Sequence, residues 1–262
     1  MRVVITGASS GLGSALATEF ARRFPGAVLL LVARRAERLA ELAAQLPQVH
    51  CECAAVDVTD PGALREACEN FLRRHGAPDI VIANAGISAG TVTGAAQDRA
   101  VFRRILEVNL LAMYDTFEPF VEPMRAGGGG VLVGIGSVAG IRGLPGAEAY
   151  SASKAAVHAY LESLRVGLRG SGVTVVTLTP GYIRSEMTAG NDYPMPFLMP
   201  ADRFARQAVQ AILRRVSRRT IPWQMGWVAR LLALLPNWLY DRLLQNAPRK
   251  ARNPEIGAGH GR

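Results

Sequence analysis

The sequence predicts an α/β fold: a doubly wound parallel sheet with helices on both faces, forming a single domain with a helical C-terminal extension. Two observations carry this. Short apolar, β-branched runs alternate with helical patterns of ten or more residues as far as residue 178, the order of repeated strand–helix–strand units. One run, AVLLLVA at 27–33, is apolar without alternation, as expected of a strand covered on both faces. Composition agrees, since 49% of the 262 residues are apolar, enough for one sizeable core and too many for a disordered chain.

Taken in order, residues 3–6 (VVIT) form a strand with no charged and apolar leader ahead of it, so no secretory signal is expected. A glycine-rich stretch at 7–13 leads into a helical pattern at 14–23, and the strand at 27–33 lies between Pro25-Gly26 and Arg34. A helix at 35–45, a strand at 49–56, a helix at 61–74 and a strand at 79–83 follow. One long helix is expected over 98–124, then a glycine breaker at 127–130, a strand at 131–135, a helix at 150–169 and a strand at 174–178. Cys51, Cys53 and Cys68 cannot all pair, and no second Cys or His cluster completes a ligand set around Cys51-Glu52-Cys53. Ordinary packing in a reducing cytoplasm, without a bound metal, is the expectation.

The first βα turn, Thr6-Gly7-Ala8-Ser9-Ser10-Gly11-Leu12-Gly13, lies where a dinucleotide-binding Rossmann fold holds pyrophosphate. Gly7 suits the tight turn, Gly11 a close approach of backbone to phosphate, and Gly13 a helix packed hard against the sheet. With Ser9, Ser10 and Leu12 they line the start of a helix whose free N–H groups attract an anion. The spacing is G-x3-G-x-G, and it resembles the TGxxxGxG loop of the classical short-chain dehydrogenase/reductase family.

An acid after the second strand would receive the ribose hydroxyls of NAD, but this strand ends Val32-Ala33-Arg34-Arg35. The planar fork of Arg34 suits a 2′-phosphate instead, and in the resembled family this pattern implies NADP(H) in preference to NAD(H). Ser10 stands where NADP-binding relatives often have a basic residue, which leaves Arg34 without that helper. The resemblance further implies that Asp57-Val58 contacts the adenine, that Asn84-Ala85-Gly86 follows the nicotinamide-side ribose, and that Pro180, Ile183 and Ser185 hold the carboxamide. Ser185 stands where the family usually has Thr, and Ala83 where it often has Asn.

Tyr150-Ser151-Ala152-Ser153-Lys154 carries the chemistry. A spacing of four on a helix puts Tyr150 and Lys154 on one face. A phenol of pKa about 10 is a poor base, and a nearby ammonium is expected to lower it. Of 30 basic residues only Lys154 and Lys250 are lysines; surface solvation would be served equally by Arg, so a compact ammonium is wanted here. By the resemblance, Ser137 hydrogen-bonds the substrate oxygen and Asn109 anchors a water to Lys154. The reaction implied is hydride transfer between nicotinamide and a carbonyl or alcohol. Alternatives on the same fold are a dehydratase or epimerase, and a cofactor-sensing protein that has lost the chemistry; the latter typically lacks the Tyr or Lys present here.

Residues 186–200 (EMTAGNDYPMPFLMP) stand where the family covers its substrate with a lid. Met195, Phe197, Leu198 and Met199 are expected on its inner face, favouring a hydrophobic ketone or aldehyde. The catalytic domain is read as 1–220, an apolar and basic helical extension as 221–252, and 253–262 as a disordered tail. Residues 201–262 hold 12 of the basic residues against three acids, so the whole net charge of +9 lies there. Residues 214–244 combine arginines with all three tryptophans, and three readings are open to them: packing within the monomer or dimer, contact with the inner face of a membrane, and nucleic acid, for which no reading motif is found. The 13 residues at 223–235 are too few to span a bilayer. The resemblance implies a homodimer or homotetramer.

Overall fold

The structure, a computed structural model, describes residues 1–191, 193–253 and 255–257. Its frame is a seven-stranded parallel sheet in the order β3-β2-β1-β4-β5-β6-β9. The strands are β1 (Arg2–Thr6), β2 (Val28–Ala33), β3 (His50–Ala55), β4 (Ile80–Ala83), β5 (Gly130–Ile135), β6 (Val173–Pro180) and β9 (Arg218–Ile221). A separate two-stranded pair joins β7 (Ile183–Arg184) to β8 (Met199–Pro200). The unbroken apolar runs are explained by two cores. Val3 and Ile5 of β1 face one core, and Val4 faces the other, because successive side chains of a strand point to opposite sides.

The first core is closed by α1 (Gly11–Arg23), α2 (Ala36–Ala44) and α8 (Ala201–Leu213). The second is closed by α3 (Pro61–His75), α5 (Ala112–Ala126) and α6 (Glu148–Gly167). Helix α8, unforeseen in the sequence, packs along α1 and buries Phe204, Val209 and Ile212 completely, each contributing about 1.5–3 kcal/mol.

The long helix expected over 98–124 is interrupted. It consists of α4 (Asp98–Leu106), a π-helical turn at Glu107–Leu111, and α5. The wider turn carries Asn109 inward, where it is wholly buried; such turns often mark functional sites. The arginines at 218–219, read as a basic flank, belong to the edge strand β9 and face solvent, as charged residues on sheet edges commonly do. Helix α7 (Glu186–Ala189) lies between β7 and β8, and beyond β9 come α9 (Trp223–Leu234) and α10 (Asn237–Leu244). No described helix is long and apolar enough to cross a membrane.

Of the segment expected to be disordered, the described Ile256 packs on the small core formed by Ala89, Val101, Ile105 and Ala149. Pro254 and residues 258–262 lie outside the described residues.

Candidate active site

The sheet order reverses around β1, with β2 on one side and β4 on the other; ligands of such sheets bind beyond the strand ends at this point. Thr6 ends β1 there, and its hydroxyl oxygen accepts from the backbone N–H groups of Asn84 at 3.1 Å and Ala85 at 3.3 Å. The Asn84 amide donates to the carbonyls of Thr6 and Gly7, at 2.9 and 3.2 Å. The phosphate loop and the Asn84-Ala85-Gly86 turn are thereby tied together. Gly13 is required by this contact: a Cβ there would lie 2.1 Å from the Gly7 carbonyl oxygen. Gly11 has a positive φ of 58°, and its open side faces Ser185, whose Cβ would be 3.4 Å from an added methyl. Ser9 and Ser10 are half-buried beside it, and Leu12 packs on the core below. A pyrophosphate fits this cradle, with backbone N–H groups at the start of α1 to receive it.

The residues expected to be catalytic meet on α6 and at the end of β5. Three glycines let the helix lie unusually close to the strand and its following turn. A Cβ on Gly134, Gly136 or Gly140 would come within 2.4, 2.3 and 2.5 Å of Leu161, His158 and Lys154 respectively. This closeness brings the Lys154 ammonium 2.8 Å from the Ile135 carbonyl oxygen, with Nζ 5.9 Å from the centre of the Tyr150 ring. Burial pulls the Lys154 pKa from 10.5 down to about 8. Ser137, also buried, leaves β5 beside Tyr150 and accepts from the Ala139 N–H at 3.2 Å. The lowered phenol pKa expected from the sequence is not what this geometry produces. Burial pushes the Tyr150 pKa up, and its hydrogen bond with Ser137 draws it only partly back.

Asn109 joins the two halves of the site. Its Oδ1 accepts from the Ile87 N–H at 2.8 Å, and its Nδ2 donates to the Ile87 carbonyl and to Ser153 Oγ, both at 3.0 Å. A Cβ on Gly86 would be 3.4 Å from Asn109 Oδ1 and 3.7 Å from Lys154 Nζ. The side chain of Asn109 is thus committed to holding the Gly86–Ile87 turn against the helix that carries Lys154.

Comparison with known proteins gives the family. Residues 1–194 match the short chain dehydrogenase family. The chain belongs to it.

Among relatives of this short-chain dehydrogenase, an uncharacterized oxidoreductase of Myxococcus xanthus is 39% identical over 91% of this chain and 94% of that protein. A short-chain dehydrogenase from Sphingobium yanoikuyae, solved with NADPH, is 33% identical with a TM-score of 0.75, covering 90% of this chain and 96% of the other. The L-sorbose reductase of Gluconobacter frateurii, solved with NADPH and L-sorbose, is 26% identical with a TM-score of 0.74, covering 84% and 94%.

The end of β2, where the adenosine side is expected, holds a second arginine in contact with the first turn. Arg34 is exposed and 3.9 Å from Asp57. Arg35, next to it, donates from Nη2 to Ser10 Oγ at 2.9 Å and to Ser9 Oγ at 3.3 Å. Arg35 also reaches Glu186 at 3.3 Å, as Arg38 does at 3.6 Å. The signal was the doubled arginine itself, since both side chains leave the same strand end. Asp57 is half-buried and Val58 buried. Burial works against the Asp57 carboxylate, but hydrogen bonds from Thr59 and Arg104 hold its pKa below the usual value.

The dehydrogenase's lid differs from expectation. Met199 is buried through the β7–β8 pair and Met195 is half-buried, while Phe197 and Leu198 point outward; only side chains next to the paired strand are pulled in. Ile183 is buried, Pro180 ends β6, and Ser185 caps α7 together with Thr188. The C-terminal strap, also unforeseen, lies over the neighbouring loops. Gly90 N–H donates to the Ala251 carbonyl at 2.8 Å, Lys250 reaches the Met187 carbonyl at 3.5 Å, and Arg252 pairs with Asp98 at 2.7 Å. Elsewhere the three cysteines are free. His50, Glu52 and His75 converge at the β3 edge, where Arg74 and His75 each approach Glu52 to 2.6 Å.

Proposed function

We propose that this oxidoreductase is an NADP(H)-dependent reductase of carbonyl compounds, acting on an apolar ketone or aldehyde. The observation that carries the reading is the Tyr150 hydroxyl hydrogen-bonded to Ser137 and backed by the buried Lys154. Gly7–Gly13 would hold the pyrophosphate, Arg34 and Arg35 the 2′-phosphate, Asp57 and Val58 the adenine, and Asn84–Gly86, Ile183 and Ser185 the nicotinamide half. When bound, the cofactor supplies the hydride. Ser137 and the Tyr150 hydroxyl donate hydrogen bonds to the substrate oxygen, which gains negative charge as the carbonyl is reduced. Tyr150 then gives that oxygen its proton, a role that suits a phenol kept neutral by burial. The Lys154 ammonium stabilises the phenolate left behind, and a pKa near about 8 allows it to exchange protons close to neutral pH.

NADPH in two solved relatives and the two adjacent guanidiniums support the cofactor preference. Half-buried Met195 and the Tyr182–Tyr193 ring pair, 6.4 Å apart, favour an apolar substrate. The test follows oxidation of NADPH and NADH against ketones and aldehydes of graded chain length, with wild type and Tyr150→Phe. NADPH consumption that rises with chain length, and a loss of at least about 100-fold in kcat in the variant with NADPH affinity kept, is the expected result. A fully active Tyr150→Phe protein overturns the assignment, and consumption of NADH alone overturns the cofactor reading.

A further inference from the structure

We infer that α9 and α10 form a docking surface for an anionic lipid bilayer. The direction in which α9 faces carries this. Met225 and Ala229 are buried against the body of the protein. Positions 223, 227, 231 and 234 recur on the opposite side with the period of one helix face, and a helix packed on a water-soluble body normally turns polar residues there. Here that face is Trp223, Trp227, Leu231 and Leu234. Together with Trp238 of α10 they are between 57% and 81% exposed. Single exposed apolar side chains are ordinary, but a contiguous set marks an interaction surface. Phe197 and Leu198 of the lid extend it, flanking a cleft of about 210 Å³ shared with Pro222 and Trp223.

Charge identifies the occupant. From Arg203 to Tyr240 the sequence has seven arginines and no Asp or Glu. Within that stretch Arg218, Arg219 and Arg230 are exposed, and Arg230 lies over the Trp227 ring at 5.4 Å. Indole rings settle at headgroup depth while guanidiniums bind lipid phosphates. A second copy related by a two-fold axis would bring this face against itself and oppose arginines to arginines, so the bilayer is the better complement. The hairpin is also held in a fixed pose. Arg142 donates to the carbonyls of Leu232 at 3.0 Å and Leu235 at 2.7 Å, and to Asn237 Oδ1 at 2.8 Å. The Tyr240 hydroxyl donates to the Gly143 carbonyl at 2.6 Å. The surface is therefore presented rigidly, and it does not depend on which carbonyl the enzyme reduces.

All three tryptophans of the chain are in this segment, so native fluorescence reports on it alone. The full chain is titrated with vesicles of phosphatidylglycerol and phosphatidylcholine, and with phosphatidylcholine alone, followed by flotation. Expected are flotation with the anionic vesicles, a blue shift in emission and quenching by brominated acyl chains. Binding should be weaker by about 10-fold or more on phosphatidylcholine alone or in about 0.5 M salt. Replacing Trp227→Ser and Leu231→Ser together should cut partition by about 10-fold while NADPH affinity stays as in wild type. Unchanged emission and no flotation overturn the inference. A blue shift that grows with protein concentration without vesicles, alongside a dimer that the double variant disperses, also overturns it in favour of a second copy.

Discussion

Replacing Lys154 with Met is expected to abolish turnover and to stabilise the cofactor-free protein. Lys154 is 4% exposed, and burial lowers its pKa from 10.5 to about 8. That gap is a penalty of about 3 kcal/mol on the folded ammonium. Met has similar length, packs readily and carries no charge. Losing the hydrogen bond to the Ile135 carbonyl, 2.8 Å long, offsets about 1 kcal/mol of the gain. The net is about 2 kcal/mol, or about 4–8 °C in Tm for a chain of this size. The sign can be followed with pH. The folded pKa lies below the unfolded one, so between about 8 and 10.5 the unfolded chain binds more protons, and wild-type stability rises across that window. Below about 8 both states are charged and the penalty is complete. The advantage of Lys154→Met should therefore be largest near neutral pH and vanish towards 10.5. Urea unfolding of both proteins without nicotinamide, from neutral pH upward, measures it. A variant less stable at neutral pH, or a difference that does not change with pH, refutes the reasoning.

Three other outcomes follow from the same geometry. Gly13→Ala places a Cβ 2.1 Å from the Gly7 carbonyl and 2.7 Å from the Asn84 amide; a cost of about 3 kcal/mol or more and loss of NADPH binding are expected by thermal melt and fluorescence titration, and retained affinity would count against the tie between the two turns. Arg35→Ala should weaken NADPH by about 10-fold or more and leave NADH unchanged, whereas Glu186→Gln, which removes a carboxylate 3.3 Å from Arg35, should tighten NADPH; steady-state KM values for both coenzymes decide. Asn109→Ala strands the Ile87 N–H and takes a donor from the Ile87 carbonyl and from Ser153 Oγ, which keeps its own bond to the Tyr150 carbonyl, so a loss of about 1–3 kcal/mol is expected in urea unfolding, together with a lower kcat.

The parts of the fold legible in the sequence are those whose burial leaves a one-dimensional trace. Strands β1, β2 and β4 read as unbroken apolar runs because helices cover both their faces. The Tyr150–Lys154 pair was visible because four residues make one helical turn, and because lysine is so rare in this chain. Strand β9 left no such trace: an edge strand of sequence RRTI has one neighbour and keeps its arginines in water. The π-helical turn around Asn109 was equally silent, since one widened turn changes no composition.

By itself, then, the sequence determined the α/β class and the order of strands and helices as far as residue 178, and it singled out the glycine-rich first turn and the Tyr150–Lys154 pair, all of which depend on local spacing and on which residues tolerate burial. Only the tertiary structure decided that Gly134, Gly136 and Gly140 admit α6 to β5, that Arg35 reaches the serines of the first turn, and that burial raises the Tyr150 pKa. It alone decided that the Trp223–Leu234 stripe faces outward. Each of these depends on what lies opposite a residue across the fold, and an apolar or charged side chain reads the same in sequence whether its partner is protein, solvent or lipid.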